Sequence, residues 1–173
     1  MYRIEAVLQA LKTRVNDAGE MQVQSMNGYM YQGIFTFHPP ATEEQIEELT
    51  RTIGEDLPED YVAFLRLHNG MEMFGSKQYG GAIRFYSVQE CIAQHTCFKE
   101  IHKSYEDEYG SCVPIGDFPD RGFIALDMKR CKEKGASYIR IFDTLPKLVP
   151  GTFEQFFDRL VVSQGAAYWE WVF

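Results

Sequence analysis

Residues 41–70 constrain the fold more than any other segment, because their sequence predicts two capped helices joined by a sharp turn. Thr42 and Gln45 have the spacing of a capping box, in which each side chain accepts a hydrogen bond from the other residue's backbone amide. Gly54 is a natural helix stop, since glycine tolerates the left-handed backbone found there. Pro58 is expected in the first turn of the second helix, where its missing amide hydrogen has no partner to lose. Both helices must then bury one face against a core.

Other helices and a hairpin follow from apolar spacing and turn chemistry. Apolar residues at helical spacing predict a helix over residues 3–15. Asn27-Gly28 predicts a hairpin over about residues 21–37 with a type I′ turn, because both residues accept a positive φ. Two further capping boxes begin later helices, at Ser87 with Glu90 and at Thr152 with Gln155.

The strand pattern predicts the fold class. Strands are expected over residues 82–86, 112–116, 122–128 and 137–143, and the aromatic tail should pack back on the body. Strands that follow one another through short turns usually pair antiparallel. We therefore predict an α+β fold with a mixed, mostly antiparallel sheet and helices packed on one of its faces.

Two loops attract attention for their composition. Residues 75–82 contain several glycines but lack the spacing of a phosphate-binding loop, so a flexible loop near a partner surface is expected. The basic turn that joins the last two predicted strands is expected to be a solvated hairpin tip, and its charges are Lys129, Arg130, Lys132 and Lys134.

Length and composition exclude several classes of protein. A chain of 173 residues suits one domain. Its apolar runs fall short of the ~20 residues of a membrane span, and its first residues do not resemble a signal peptide, so a cytoplasmic location is expected. Four cysteines without a CxxC pair agree with that location. A net charge of −8 argues against direct binding of nucleic acid, because phosphate contacts need a basic face.

The acidic residues are unevenly distributed. Between residues 43 and 60 there are eight acids and one base, Arg51, so this window carries −7 and the rest of the chain −1. Such a window is either a solvated helix face or an electrostatic docking surface, and both interpretations stay open. The residues predicted to contact a partner are Glu47, Glu48, Glu55, Asp56, Glu59 and Asp60.

Catalytic and metal chemistry receive little support. Cys91, His95, Cys97 and His102 could suggest metal ligands, but the two histidines are two helical turns apart, about 10 Å along the axis. Tetrahedral zinc needs donors that converge on one point. A Cys/His pair that meets in space is left open. We expect no enzymatic activity, no cofactor and no metal.

Three segments resemble the SUKH (Smi/Knr-like) superfamily. They are PPATEEQIEELTRTIGEDLPEDYVAFLRLHNG, VPIGDFPDRGFIALDM and GTFEQFFDRL, and together they span about residues 40–160. The matching positions are Leu57, Pro58 and Tyr61, the helix stop Asn69 and Gly70, the turn Pro114, Ile115 and Gly116, and the strand end Leu126 and Asp127. The resemblance implies a single SUKH-like domain over residues 1–173. Its parts would be an N-terminal helix and hairpin elaboration at 1–38, the recognised core at 39–161 and an aromatic tail at 162–173.

The resemblance also implies a function. Bacterial members of the superfamily are typically immunity proteins that bind and block a toxin domain, often a nuclease, whereas fungal members are regulatory scaffolds. Neither branch is known for enzymatic activity. The function predicted is therefore that of a non-enzymatic immunity protein whose acidic surface binds a cognate toxin protein. A regulatory protein-binding scaffold without a toxin partner is the alternative. Departures from the family pattern, at Met71 and in the stiffer turn 117–121, could alter partner choice.

Overall fold

The computed structural model describes residues 3–78 and 80–171. Its α-helices are α1 (Arg3–Lys12), α2 (Glu43–Ile53), α3 (Glu59–Leu67), α4 (Val88–Ile101), α5 (Glu106–Tyr109), α6 (Met128–Cys131) and α7 (Phe153–Val162). Short 3-10 turns occupy Lys103–Tyr105 and Tyr168–Glu170. The strands are β1 (Glu20–Gln24), β2 (Met30–Phe37), β3 (Met71–Ser76), β4 (Ile83–Phe85), β5 (Cys112–Phe118), β6 (Gly122–Asp127), β7 (Ile139–Phe142) and β8 (Lys147–Val149).

The strands form one eight-stranded sheet in which each strand lies beside the next in the sequence. All seven pairings between these described strands are antiparallel. The α+β fold is confirmed. Two strands were not predicted, β3 and β8. The loop expected at 75–82 is accordingly wrong at its start, because Gly75 and Ser76 pair with β2.

The first hairpin is present, but its turn is not of type I′. The Gly28 amide donates to the Ser25 carbonyl at 2.9 Å, and the Ser25 amide donates to the Tyr29 carbonyl at 2.8 Å. Gly28 has a φ of 77°, whereas Asn27 does not adopt a positive φ. The connection is therefore a three-residue loop closed by a left-handed glycine, the next most common hairpin solution.

The helix ends agree closely with the side-chain chemistry. All three predicted capping boxes are formed, with both reciprocal hydrogen bonds in each. Gly54 ends α2 with a φ of 80° and donates its amide to the Thr50 carbonyl. Pro58 lies one residue earlier than predicted, at the N-cap of α3. Helix α1 ends at Lys12 rather than at residue 15, because the chain turns there toward β1.

The main core lies between the sheet and helices α1, α3 and α7. Its centre is aromatic: Tyr61, Phe64, Phe85, Phe153 and Phe157 are at most 2% exposed. Neighbouring rings in this group lie 5.1–6.2 Å apart, most of them tilted or edge-on. Pairs at such distances stabilise a core by about 0.5–1.5 kcal/mol beyond the burial of their area. The N-terminal helix shares this core through Ile4, Leu8 and Leu11.

A second, smaller apolar cluster lies on the other face of the sheet. In β6, Ile124 and Leu126 point into the main core, so Ala125 between them points the opposite way. There it packs with Cys112, Phe142 and Phe98, the last of these from the C-terminal half of α4. The expectation that helices cover one face only is therefore wrong, since α4 reaches around to the second face.

The aromatic tail packs on the body through Tyr168 and Trp169, as predicted. Val172 and Phe173 lie outside the described residues. The Trp169 ring lies 5.4 Å from Phe118 and 5.8 Å from Phe156. Glu170 pairs with Arg121 at 2.5 Å and with Lys147 at 3.1 Å, which ties the tail to the turn between β5 and β6 and to the start of β8. None of the helices in the described part of the chain has the length and apolar character needed to cross a membrane.

Candidate partner-binding surfaces

The outward side of α2 presents carboxylates to solvent. Glu44, Glu47 and Glu48 are exposed, while Ile46 and Leu49 on the other side are buried. The capping box at one end and Gly54 at the other hold this helix in a fixed position. The carboxylates are therefore presented without the ordering cost of a mobile loop.

Asp60 was predicted to contact a partner, but the structure places it between two helix N-termini. Its carboxylate accepts hydrogen bonds from the Tyr138 hydroxyl at 2.7 Å and from the Glu154 amide at 2.9 Å. The Tyr138 hydroxyl in turn accepts from the Phe153 amide at 3.1 Å. Asp60 thus lies in the first turn of α3 and accepts a hydrogen bond from a backbone amide in the first turn of α7. The dipoles of both helices favour a negative charge at this place. Its role in the fold is structural.

Glu55 is also engaged within the chain. Its Oε2 lies 3.2 Å from Nζ of Lys132, which belongs to the basic turn. The expected solvated hairpin tip is confirmed in part for that turn, because Lys129, Lys132 and Lys134 are exposed. Its first part is the helix α6, and Arg130 donates from Nε to the Ser137 carbonyl at 2.7 Å. This turn neutralises part of the acidic window.

Two of the predicted acids remain exposed between α2 and α3. Asp56 and Glu59 are both exposed, and Asp56 lines a shallow depression together with Arg51 and Lys132. Glu43, at the start of α2, forms a bidentate pair with Arg66 at 2.7 and 2.9 Å. We define the α2 acidic face as the exposed carboxylates that form no ion pair with another described residue, namely Glu44, Glu47, Glu48 and Asp56.

The cysteines and histidines do not converge on a reactive site. Cys91 is fully buried with its Sγ 3.4 Å from the Tyr61 hydroxyl, and burial raises the pKa of this thiol to about 12. Burial also raises the pKa of Cys112 to about 12. Both groups are therefore protonated thiols near neutral pH, and a protonated thiol is a poor nucleophile. Within residues 3–78 and 80–171, no group of three or more His, Cys, Asp or Glu residues could hold a metal ion.

His68 connects two segments of the chain. Its Nδ1 lies 2.5 Å from the His38 carbonyl oxygen, and burial lowers the pKa of the ring below its ordinary value. The neutral ring can therefore donate from Nδ1 to that carbonyl. Desolvation disfavours the charged form of the ring.

Several of the residues that match the SUKH superfamily pattern stabilise the fold. Asn69 accepts the Val88 amide at 2.8 Å and so supports the first turn of α4. Gly70 has a φ of 85°, and a Cβ there would lie 2.7 Å from the Phe85 carbonyl oxygen. The predicted turn at 114–116 is instead part of β5, where the pairing register shifts between Pro114 and Gly116. These positions therefore support the fold.

A second candidate surface lies beside the smaller apolar cluster and was missed by sequence reasoning. A groove of about 470 Å³ is lined by side chains from the end of α4, from α5 and its preceding 3-10 turn, and from the connection between β7 and β8. We call it the aromatic groove and define it by Ile101, His102, Tyr105, Tyr109, Phe142 and Leu145. Its signal in the sequence is the pair of tyrosines within the charged run 105–109.

Comparisons with known proteins agree with the fold. The model of the SMI1 / KNR4 family (SUKH-1) matches residues 40–159. The chain is 25% identical to the uncharacterized protein YobM of Bacillus subtilis (strain 168), with 97% of this chain and 91% of the relative aligned. It is 30% identical to the uncharacterized protein YnaB of the same organism, with 82% of this chain and 90% of the relative aligned. The YobM alignment extends beyond the family match at both ends.

Proposed function

This chain belongs to the SMI1/KNR4 (SUKH-1) family, and we propose that it is a non-enzymatic immunity protein that binds and neutralises a cognate toxin domain in the cytoplasm. The family includes immunity proteins, and binding without catalysis agrees with the buried, protonated thiols described above. The toxin would be bound as a folded protein, with no metal or cofactor required from this chain.

The observation that carries the choice of surface is the α2 acidic face. A toxin that cleaves nucleic acid presents basic groups where it holds phosphates, and a rigid array of carboxylates is complementary to such a site. Complementary charge of this kind accelerates association and disfavours wrong partners. Of the residues first predicted, Glu47, Glu48 and Asp56 are the ones we propose as partner contacts. Glu59 is exposed beside them. Glu55 and Asp60 are half-buried and bind Lys132 and the Glu154 amide, respectively.

The proposal is tested by affinity capture with three forms of the chain, followed by mass spectrometry and binding kinetics on the captured protein. The forms are the wild type, the reversal Glu47→Lys/Glu48→Lys, and the matched reversal Glu5→Lys/Asp17→Lys. Both reversals change the net charge equally and at exposed positions. Only the first alters the α2 acidic face.

We expect the wild type and the matched reversal to capture a toxin domain that the α2 reversal binds at least about tenfold more weakly, mainly through slower association. The difference should shrink at high salt, because exposed charges are screened. A toxin bound equally by all three forms would remove the α2 acidic face from the proposal. A partner that is a housekeeping enzyme and not a toxin would favour a regulatory scaffold instead.

A further inference from the structure

The aromatic groove is a second binding surface, and we propose that it holds a segment of a partner protein in which apolar side chains are flanked by Lys or Arg. The groove shares no residue with the α2 acidic face. The inference rests on the local geometry and charge of the groove, so it stands independently of whether the partner is a toxin.

The floor of the groove is preorganised by stacked rings. The His102 ring stacks on Phe98 at 4.1 Å, and its Nδ1 lies 3.0 Å from the Phe98 carbonyl oxygen. Phe142 meets Phe98 edge-on at 4.7 Å, and Tyr109 lies edge-on to Phe142 at 5.2 Å. Each ring is held by a neighbour, so a ligand would meet a surface that needs little further ordering.

The rim of the groove exposes large apolar side chains next to this floor. Ile101 is 60% exposed, Tyr105 is 59% exposed and Leu145 is 75% exposed. Single exposed apolar residues are ordinary, but a contiguous group around a concave surface is typical of an interaction site. Tyrosine is also enriched among the residues that dominate binding energy at protein interfaces. The groove therefore has the apolar centre that the α2 acidic face lacks.

The charge around the groove selects the kind of occupant. Glu106, Asp107 and Glu108 are exposed on α5, and Lys103 is the only lysine or arginine within residues 101–110. Asp143 is the one acid among the described residues that line the groove itself, and a hydrogen bond from the Thr144 amide lowers the pKa of its carboxyl group. The cations that act on Asp143 are Lys147 and Arg121, and both pair with Glu170. Arg140 approaches the Tyr109 ring at 5.7 Å, but its charge is compensated by Asp127, whose Oδ2 lies 2.8 Å from Arg140 Nε.

This acidic rim argues against two other occupants. A nucleic acid would bring phosphates toward carboxylates, which is unfavourable. A second copy of this chain, docked through the same groove about a two-fold axis, would place one acidic rim against the other. A polypeptide with Lys or Arg beside apolar side chains can pack its apolar side chains on the aromatic floor and pair its cations with the carboxylates of the rim.

The test uses defined peptides and the full-length chain labelled with nitrogen-15 for NMR. The probe is a helical peptide of roughly 16 residues, about 24 Å long, built from Leu and Lys. One control peptide replaces each Lys by Glu, and the other replaces each Leu by Ser. Chemical-shift changes locate the binding site, and their concentration dependence gives the dissociation constant.

The expected result is that the Leu/Lys peptide shifts amides at Ile101, Tyr105, Tyr109 and Leu145, and that both control peptides bind at least about tenfold more weakly. The variant Tyr105→Ser/Leu145→Ser should weaken binding about tenfold or more, as expected for hot-spot side chains. The matched variant Val162→Ser, at a site that is 74% exposed elsewhere, should leave affinity unchanged. Absent binding, shifts confined to the α2 acidic face, or equal loss in both variants would overturn the inference.

Discussion

Replacing Asp60 by alanine tests whether this acid supports the fold, as the structure indicates, or serves only a binding surface. The carboxylate accepts hydrogen bonds from the Tyr138 hydroxyl at 2.7 Å and from the Glu154 amide at 2.9 Å. These contacts join α3 to α7 and to the residue that precedes β7. Asp60→Ala leaves both donors without their acceptor. Because Tyr138 is only 7% exposed, water has little access to its hydroxyl and cannot easily replace the lost acceptor.

The size of the effect follows from these two bonds. Hydrogen bonds to a charged group contribute about 1.5–3 kcal/mol each. Because Asp60 is itself partly exposed and the two bonds are coupled, we take the lower end and expect a loss of about 3 kcal/mol in the free energy of unfolding. For a chain of this size that loss lowers Tm by about 6–12 °C. Asp60→Asn keeps one acceptor and should lose about half as much.

The assay is urea unfolding followed by tryptophan fluorescence, with Asp56→Ala as the matched control. Asp56 is exposed and makes no ion pair with another described residue, so its replacement should change stability by no more than about 0.5 kcal/mol. Tyr138→Phe combined with Asp60→Ala should show a coupling energy of about 1 kcal/mol or more. If Asp60→Ala is as stable as Asp56→Ala, the structural role assigned to Asp60 is refuted.

Three further predictions concern stability and reactivity. Gly70→Ala should lower the free energy of unfolding by at least about 2 kcal/mol, since its φ of 85° is strained for alanine and the Phe85 carbonyl blocks the new methyl. The control Gly54→Ala, with φ 80° and nothing within 4 Å, should lower it by about 1 kcal/mol. Equal losses of the two variants in urea unfolding would contradict the prediction. Burial lowers the pKa of His68 and of His95, so the unfolded chain binds protons first as pH falls. Stability should therefore be full above about pH 6.5 and decline below it by up to about 1.4 kcal/mol per pH unit for each histidine, and His95→Leu should flatten that decline. In iodoacetamide labelling near pH 8, exposed Cys97 should react in the native state while buried Cys91 and Cys112 react only after unfolding; native labelling of Cys91 would show that its thiol is accessible.

Helix starts could be predicted from the sequence because the interactions that define them are local. Each capping box involves two residues three apart, and nothing distant is needed to form it. The antiparallel character of the sheet followed from the short connections between strands. Strand β3 was not predicted because it depends on tertiary contacts, namely its pairing with β2 on one side and β4 on the other. Phe74 within it also adopts a left-handed φ of 59°, which the local sequence does not predict.

The candidate surface was only partly predictable for the same reason. The sequence shows where the acids lie, but the residues that bind Asp60 and Glu55 within the fold are distant in the chain, at Tyr138 and Lys132. The aromatic groove could not be predicted from the sequence, because its rings come from the regions of α4, α5 and β7, which lie together only in the folded chain. Counting charges along the sequence identifies an acidic segment. The candidate binding surface consists only of those carboxylates in it that are exposed and form no ion pair with another described residue.

The most direct test of immunity is growth of cells that express the captured toxin domain together with this chain. The account predicts that the wild type and Glu5→Lys/Asp17→Lys restore growth, while Glu47→Lys/Glu48→Lys, expressed at the same level, restores it poorly. Failure of the wild-type chain to restore growth, with both proteins present and folded, would contradict the proposal that it is an immunity protein.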